Sequence, residues 1–377
     1  MPSLGPVDRG RDAAPASFLA RLNRASPAHG VTRLADVTGL DRLGLPVWQA
    51  IRPAGRSLSV HQGKGPSHEA ARIGALCEAL EADCAERVVA DGPVCRFDDL
   101  PRAERAPAIG DYCRVRSEGP PRAERIAWCG ATDLLTGRRC WLPHDLVSLD
   151  FTRGLPSRFE RASSGLGAGP TEGDALLTSL LELIERDADG AWQRLHRDRR
   201  LDSAIAADSI GYDWFRSWEG RFRALDMTLH VFTLDALFGI PAFRCVIGGR
   251  EEFGPAWRRF SGTAAHGDPE IALFRALAEA IQSRLTLIAG VRDDIMPSYH
   301  ARPRPPPAPG REKAGWRPWR EDPPWDLNAE SLAEMLVNLG YGQIAFRRLD
   351  EGLDGIAVTR AFVPGLGSAT RTRRRVR

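Results

Sequence analysis

The sequence predicts a single large domain of α+β (mixed α/β) class. Helical segments with a polar stripe alternate along the chain with short strands of alternating polarity. A length of 377 residues and a hydrophobic content of 43% are enough to bury a sizeable core. The chain has no apolar run of membrane-spanning length, and its first thirty residues lack a signal-peptide core. We therefore expect a cytoplasmic protein with no membrane partner.

Alternating or β-rich segments predict the strands. In chain order they are 47–51 and 57–60 around the turn-rich 52–55, then 227–233, 240–247, 343–349 and 356–363. A hairpin is predicted across Thr136-Gly137. The helices are predicted by an N-capping residue followed by helical periodicity, or by a glycine that ends the run. They cover about 67–88, 171–193, 269–290 and 332–339, the last stopped by Gly340.

Three segments are not expected to pack in the core. Residues 1–38 are interpreted as a loosely packed N-terminal extension, and the main domain as 39–366. Within it, 297–324 contains nine prolines and is predicted to be a loop or spacer. The last seven residues hold five arginines, so 367–377 is predicted to be a disordered tail.

Charge and cysteine usage exclude several classes of function. The 52 basic and 49 acidic residues give a net charge of only +3, so no nucleic-acid partner is predicted. The seven cysteines form no Cys-x-x-Cys pair, which argues against a zinc site and favours reduced thiols.

Three of the predicted helices share one pattern at one spacing. A capping residue stands eleven positions before a glutamate, an alanine stands seven before it, and a second carboxylate or amide follows three after it. The caps are Ser67, Thr171 and Asp268, and the paired side chains are Glu78 and Glu81, Glu182 and Glu185, and Glu279 and Gln282. Positions i and i+3 share one helix face, and oxygen ligands suit Mg²⁺ with nucleotide phosphates. These six side chains are therefore predicted to hold Mg²⁺ and ATP.

Each of these residues also has a simpler interpretation. The polar positions 178, 182, 185, 186, 189 and 193 of the second helix equally fit a solvated surface stripe. Lys64 could meet a phosphate or be a surface lysine, since Gly63-Lys64-Gly65 is not a Walker A motif. Arg284 and Arg292 could bind phosphate or pair with nearby acids, and His266 could act as an acid or base or be structural.

Three motifs, in order within about 40–366, carry a family resemblance. They are Gln62-Gly63-Lys64-Gly65 with Glu78 and Glu81, then Ser163-Ser164-Gly165-Leu166-Gly167-Ala168-Gly169 with Glu182-Leu183-Ile184-Glu185-Arg186-Asp187-Ala188, then Glu279-Ala280-Ile281-Gln282-Ser283-Arg284. These motifs resemble the YcaO superfamily. The stretches 282–286 and 290–294 look most like the branch encoded beside TfuA-type partner proteins.

The resemblance implies a YcaO-like domain in which three acidic helices surround an ATP site. It implies ATP-dependent activation of a peptide-backbone amide, with thioamide formation and a TfuA-like partner protein as the leading expectation. Arg284 would then contact phosphate, Arg284 and Lys64 are the predicted catalytic residues, and Ser164 is predicted to bind the nucleotide.

Two residues depart from the family pattern. Gly74 stands where serine is usual and Ser164 where asparagine is usual, and the chain lacks the proline-rich end of azoline-forming members. An azoline-forming cyclodehydratase and a non-catalytic nucleotide- or peptide-binding subunit therefore remain alternatives. The peptide substrate, the sulfur donor and the oligomeric state, a homodimer included, stay open at this point.

Overall fold

Three antiparallel sheets carry the fold of the residues that the computed structural model describes, which are 4–6, 15–106, 124–153, 159–249, 259–295, 316–320, 322–350 and 352–366. The strands are β1 (Arg33–Asp36), β2 (Val47–Ile51), β3 (Val60–Lys64), β4 (Val94–Cys95), β5 (Ile126–Asp133), β6 (Arg139–Pro143), β7 (Leu166–Gly169), β8 (Ala204–Ile205), β9 (Met227–Thr233), β10 (Ala242–Gly249), β11 (Phe260–Ala265), β12 (Ala345–Arg348) and β13 (Ala357–Phe362).

The strand order separates the sheets clearly. One sheet has the order β1-β2-β3, and a second has the order β11-β10-β9-β8. The third has the order β4-β5-β12-β13-β7, with β6 paired to β5 across the predicted turn at Thr136-Gly137. The predicted mixed α/β class is therefore confirmed.

Eight α-helices connect and cover these sheets in the described residues. They are α1 (Pro15–Ala25), α2 (His68–Glu86), α3 (His144–Val147), α4 (Glu172–Gln193), α5 (Arg197–Leu201), α6 (Asp213–Ala224), α7 (Pro269–Ala289) and α8 (Ala329–Asn338). None of the helices in this part of the chain is both long and apolar enough to cross a membrane.

The capping residues start α2, α4 and α7 where the sequence predicts. Ser67 Oγ accepts a hydrogen bond from Ala70 N at 3.1 Å, and Thr171 Oγ1 accepts one from Asp174 N at 3.2 Å. The carboxylate of Asp268 accepts bonds from the first N–H groups of α7. Each cap satisfies backbone donors that have no partner within the helix.

A glycine brings each of these helices unusually close to the strand before it. A Cβ atom added at Gly63 in β3, Gly167 in β7 or Gly262 in β11 would lie closer than 3.0 Å to the backbone of α2, α4 or α7, respectively. Only glycine permits such backbone contact. The repeat therefore extends beyond the helices and includes the preceding strand.

The three strand–helix units close on one another. Besides its own strand, α2 packs on β7, α4 packs on β11, and α7 packs on β3. Each unit thus contacts the next, and the third contacts the first. This ring places the middle of the three helices around a common centre.

Some sequence-based expectations differ from the structure. The loosely packed start is wrong for Pro15–Ala25, because α1 buries Phe18, Leu19 and Leu22 against α2. The strand predicted at 57–60 is displaced to Val60–Lys64. The last helix begins at Ala329 because Asn328 caps it through Ser331 N at 2.8 Å. Most of the proline-rich 297–324 and the whole of 367–377 lie outside the described residues.

Candidate functional site

The ring of helices encloses a cavity of about 950 Å³, called here the large cavity. Four of the six predicted ligands line it: Glu78 and Glu81 from α2, and Glu182 and Glu185 from α4. Two carboxylate pairs from separate helices therefore face one space. They reach it because each pair sits at i and i+3, on the helix face turned to the ring's centre.

A second, smaller cavity of about 320 Å³ adjoins it, called here the small cavity. It shares Glu182, Glu185 and Arg186 with the large cavity and adds Glu279 from α7. The first glutamates of all three helices thus lie in two cavities that share one wall.

The polar stripe of α4 lines the two cavities. Thr178 lines the large cavity, Asp189 and Gln193 line the small one, and Glu182, Glu185 and Arg186 form the shared wall. All six polar positions of the stripe therefore line at least one of the two cavities. The stripe therefore faces the two cavities, and Arg186 and Gln193 within it are also exposed to solvent.

Hydrogen bonds from neighbouring elements hold the glutamates. Glu78 Oε2 accepts from Gln62 N in β3 at 2.7 Å, and burial raises the pKa of this carboxyl above its usual value. Glu182 Oε2 accepts from Gly165 N at 3.1 Å, while its Oε1 accepts from Arg186 Nε and Nη2 at 2.9 and 2.8 Å. Each carboxylate keeps a defined orientation as a result.

The shared wall brings several carboxyl groups close together. Glu185 Oε1 accepts from Thr263 Oγ1 of β11 at 2.8 Å, and burial together with the neighbouring Glu279 raises the pKa of Glu185 to about 8. Glu279 is in turn 3.5 Å from Lys64 Nζ of β3. A raised carboxyl pKa marks a place where an added cation would be stabilised.

The lining residues fit a divalent cation bound together with phosphates. Seven carboxylates line the large cavity against three arginines, namely Glu78, Glu81, Asp174, Glu182, Glu185, Asp294 and Asp326 against Arg186, Arg275 and Arg292. Among the described residues, no three His, Cys, Asp or Glu side chains form a ready-made metal cage. Mg²⁺ is usually bound by one or two carboxylates that leave positions for phosphate oxygens. The donor set fits this mode of binding.

Apolar residues line the remainder of the large cavity. Leu58, Leu149, Phe151, Leu166, Leu177, Leu181, Trp325 and Leu327 are on its walls, and Phe151 and Trp325 are each 40% exposed. His266 is also on the wall, and its Nδ1 accepts from Asp268 N at 3.0 Å. An apolar space beside a few polar groups is typical of small-molecule sites.

Four predicted site residues line neither cavity, although one of them, Lys64, lies beside Glu279. Arg284 forms a largely buried ion pair with Asp41, with Nε 2.8 Å from Oδ2. Neither Arg284 nor Gln282 is among the described residues that line the two cavities. At the 163–164 pair, Ser163 lines the large cavity and Ser164 does not.

The structure gives a physical reason for the glycine at position 74. A Cβ atom there would lie 3.2 Å from Gly63 Cα, so a side chain would crowd β3. Gly74 therefore belongs to the close approach of α2 and β3.

Sequence reasoning missed a charged cluster behind the cavity wall. Arg52, only 3% exposed, donates to Asp83 Oδ1 at 2.6 Å and to Glu86 Oε2 at 2.7 Å. Glu86 Oε1 accepts from Ser57 N at 2.9 Å, and Ser57 lines the large cavity together with His61. No spacing in the sequence relates these residues. Arg292, considered as a phosphate ligand, lines the same cavity and pairs with Asp294 at 2.6 Å.

Comparison with known proteins gives one consistent result. A family model described as YcaO cyclodehydratase, ATP- and Mg²⁺-binding, matches residues 62–367. An uncharacterized protein in the tfuA 3′ region of Rhizobium leguminosarum bv. trifolii is 37% identical over 298 residues, covering 78% of this chain and 70% of that protein. An uncharacterized protein of Mycobacterium tuberculosis is 33% identical over 318 residues, covering 82% of this chain and 70% of that protein.

Solved structures share the fold. A heterocyclase in complex with substrate and cofactor has a TM-score of 0.73 at 22% identity, over 96% of this chain and 53% of that one. The chain thus spans about half the length of that heterocyclase. The YcaO protein from Methanopyrus kandleri bound with AMPPCP and Mg²⁺ has a TM-score of 0.69 at 21% identity, over 95% of this chain and 92% of that one.

Proposed function

The chain belongs to the YcaO family, and we propose that it uses ATP and Mg²⁺ to activate a peptide-backbone amide, with a thioamide as the product. Members of this family are ATP-dependent enzymes that modify peptides. The single observation that carries the proposal is the convergence of carboxylates from α2, α4 and α7 on two adjoining cavities.

The proposed metal ligands are Glu78, Glu81, Glu182 and Glu185, together with Glu279 on the wall of the small cavity. Bound there, Mg²⁺ would neutralise the charge that develops on the transferred phosphoryl group. Gln282 is the sixth residue of the sequence pattern, but it lines neither cavity.

Other residues of the chain would position the reactants. Arg186 presents its guanidinium at the shared wall while Glu182 orients it, so it is the arginine best placed to meet a phosphate. Lys64 Nζ lies 3.5 Å from Glu279, which lines the small cavity. Arg284 would serve this site only indirectly, because Asp41 holds it.

The apolar part of the large cavity suits the non-phosphate part of a nucleotide. Leucine and aromatic side chains there would exclude water around the reacting groups, which strengthens their electrostatic interactions. His266 is one titratable group lining this cavity. Since its Nδ1 accepts a hydrogen bond from Asp268 N, a proton on the neutral ring would sit at Nε2.

The proposed reaction phosphorylates the amide oxygen and then replaces that oxygen with sulfur. The amide oxygen attacks the γ-phosphorus of ATP, and ADP leaves. A sulfide donor then adds to the activated carbon, and the C–O bond breaks with release of phosphate, which leaves a thioamide. The relative in a tfuA 3′ region supports a TfuA-like partner for this second step.

Two alternatives have specific support. The structural likeness to a heterocyclase favours azoline formation, in which a Cys, Ser or Thr side chain replaces the sulfide. The departures at Gly74 and Ser164 favour a non-catalytic nucleotide- or peptide-binding subunit.

Mass spectrometry distinguishes the three. A candidate peptide encoded beside the gene is incubated with ATP, Mg²⁺, sulfide and the TfuA-like partner. A thioamide gains the mass difference between sulfur and oxygen, and it forms only with sulfide. Loss of one water without added sulfide would establish azoline formation instead. No ATP consumption with the correct peptide and partner would favour the non-catalytic alternative.

A further inference from the structure

We propose that Phe151, together with Leu58 and Leu149, forms a subsite at one end of the large cavity for an apolar side chain of the peptide substrate, next to the amide that reacts. This inference rests on the proposed function, because it assigns the peptide specificity of that same site. It leaves the glutamates of both cavities to Mg²⁺ and phosphate and places the second substrate beside them.

The large cavity has two ends, which α7 separates. Its lining includes His266 and Gly267, just before this helix, and Arg292 and Asp294, just after it. A helix of 21 residues is about 30 Å long, so the few residues that follow α7 cannot return to its start. The glutamate pairs come from the middle of α2 and α4 and therefore line the part between the two ends.

The end beside the start of α7 has the groups that a nucleoside needs. An apolar wall stands there beside two carboxylates, the wall being Leu177, Leu181, Trp325 and Leu327 and the carboxylates Asp174 and Asp326. A flat base packs well on apolar side chains, and carboxylates accept hydrogen bonds from ribose hydroxyls and an exocyclic amine. With the nucleoside at this end and its phosphates at the glutamates, the γ-phosphoryl group would point towards the opposite end.

At that opposite end, the charged groups already have partners. Arg292 Nη2 is 2.6 Å from Asp294 Oδ2, and the neighbouring Asp293 accepts from Ser59 N at 2.8 Å. This contact joins the loop between β2 and β3, which carries Leu58, to the segment after α7. A surface of apolar side chains beside paired charges favours an apolar ligand group over a charged one, because an unpaired charge would lose its hydration there.

Phe151 is exposed although its backbone is held in place. Its N–H donates to Arg56 O at 3.2 Å, and the neighbouring Asp150, only 3% exposed, accepts from Arg56 Nη1 at 2.9 Å. In the described part of the chain, Phe151 and Trp325 are the two phenylalanine or tryptophan side chains that are as much as 40% exposed, and both line the large cavity. A fixed, exposed ring is a preorganised contact for an apolar group.

The position of this ring also suits the reaction. A peptide side chain that packs on Phe151 would hold the adjoining backbone amide at the end of the cavity towards which the γ-phosphoryl group points. Group transfer requires this proximity, and the contact supplies it without a bond to the amide itself. The residue that flanks the modified amide should therefore be apolar.

The test begins with a display library of random ten-residue peptides, selected on the immobilised full chain in the presence of AMPPCP and Mg²⁺. The wild type is compared with Phe151→Ala, with Phe151→Leu, which keeps an apolar group, and with Leu135→Ala. Leu135 is the matched control, because it is also 40% exposed and lines neither cavity. Circular dichroism verifies that the variants fold.

The wild type should select peptides that share an aromatic or large aliphatic residue at one position. Phe151→Ala should lose this preference, whereas Phe151→Leu should keep most of it and Leu135→Ala all of it. A selected peptide is then synthesised with a fluorescein label, once as selected and once with the shared residue replaced by alanine, and Kd is measured by fluorescence anisotropy. The replacement should weaken binding to the wild type about tenfold and should have little effect on Phe151→Ala.

Selection of no apolar residue by the wild type, or of the same residues by Phe151→Ala, would overturn the inference. Additive effects of the peptide change and Phe151→Ala on Kd would also overturn it, because the two groups would then not be in contact. Failure of the proposed function has a different signature: the chain would consume no ATP and form no thioamide with its peptide and partner, while the binding measurements would still decide whether Phe151 contacts the peptide.

Discussion

At the scale of single residues, the site depends on carboxylates that protein groups orient but do not neutralise fully. Glu78 is fixed by Gln62 N, Glu182 by Gly165 N and Arg186, and Glu185 by Thr263. The raised pKa values of Glu78 and Glu185 show that burial and mutual repulsion are not offset by the arginines present. These residues therefore keep capacity for a cation.

Glu182→Gln should abolish Mg²⁺-dependent ATP turnover while the fold is retained. The amide keeps the size of the side chain and can still accept from Gly165 N, but it removes the charge that a metal ligand supplies. The measurement is phosphate release with peptide and partner present. Glu334→Gln, an exposed change on α8, is the matched control and should have no effect. Unchanged turnover in Glu182→Gln would contradict the metal assignment.

The titration of His61 should lower the free energy of unfolding of the protein as the pH falls from about 6.5 towards 4. Burial and the positive charge of Arg52 lower the pKa of His61 to about 4, so the unfolded chain binds a proton through this window while the folded chain does not. The neutral His61 therefore contributes its full stability above the pKa of the unfolded chain. This contribution, about 3 kcal/mol, is lost as the pH falls to the pKa of the folded protein.

The comparison for His61 is urea unfolding of the wild type and of His61→Gln at a series of pH values. The glutamine cannot titrate, so the difference between the two proteins should shrink by that amount as the pH falls. A pH-independent difference would show that His61 titrates alike in both states.

At the scale of elements, each strand–helix unit depends on a glycine where two backbones meet. Gly63, Gly167 and Gly262 occupy this position in β3, β7 and β11. The capping residue, which stands two residues beyond β7 and three beyond β3 and β11, then sets where the helix begins. The distance from cap to glutamate is therefore fixed by the helix alone, which is why one spacing recurs in all three.

Gly167→Ala should destabilise the protein by about 1–3 kcal/mol or more, because the new methyl group overpacks the contact between β7 and α4. Gly220→Ala is the matched control: Gly220 lies within α6 and has open space around it. That change should stabilise the protein by about 0.5–1 kcal/mol through helix propensity. Chemical denaturation measures both, and equal effects would contradict the close-contact explanation.

The sequence allowed the elements with a local signal to be predicted. The caps at Ser67, Thr171 and Asp268 located three helices and the glutamates on them, and alternation located β2 and β9. The position of β3 was missed because Gly63 and Lys64 are poor strand formers, held there by contact with α2. The ion pair of Arg284 with Asp41 was missed because only the tertiary fold joins residues so distant in sequence.

At the scale of the whole molecule, two cavities share one acidic wall inside a closed ring of three units. Neither cavity belongs to a single unit, since α2, α4 and α7 each contribute to the lining. A ligand that bridges these helices should stabilise their arrangement as a whole.

AMPPCP should raise the melting temperature of the protein only when Mg²⁺ is present. The acidic lining repels a polyphosphate alone, and binding to the folded state adds about 2.7 kcal/mol at a ligand concentration of 100 times Kd. Thermal unfolding followed by circular dichroism provides the measurement, with Mg²⁺ alone and AMPPCP alone as controls. An equal shift without Mg²⁺ would argue against a metal-bridged nucleotide.

The ring also constrains the order in which the protein can acquire its site during synthesis. The wall at Glu185 needs Thr263 of β11, and Glu279 needs Lys64 of β3, so contacts that complete the site join early and late parts of the chain. Such long-range contacts are formed slowly, and a ribosome-bound chain that has not yet produced α7 cannot close the ring. The nascent protein would therefore become competent for nucleotide only after α7 has left the ribosome, and until then the acidic faces of α2 and α4 would be exposed to solvent.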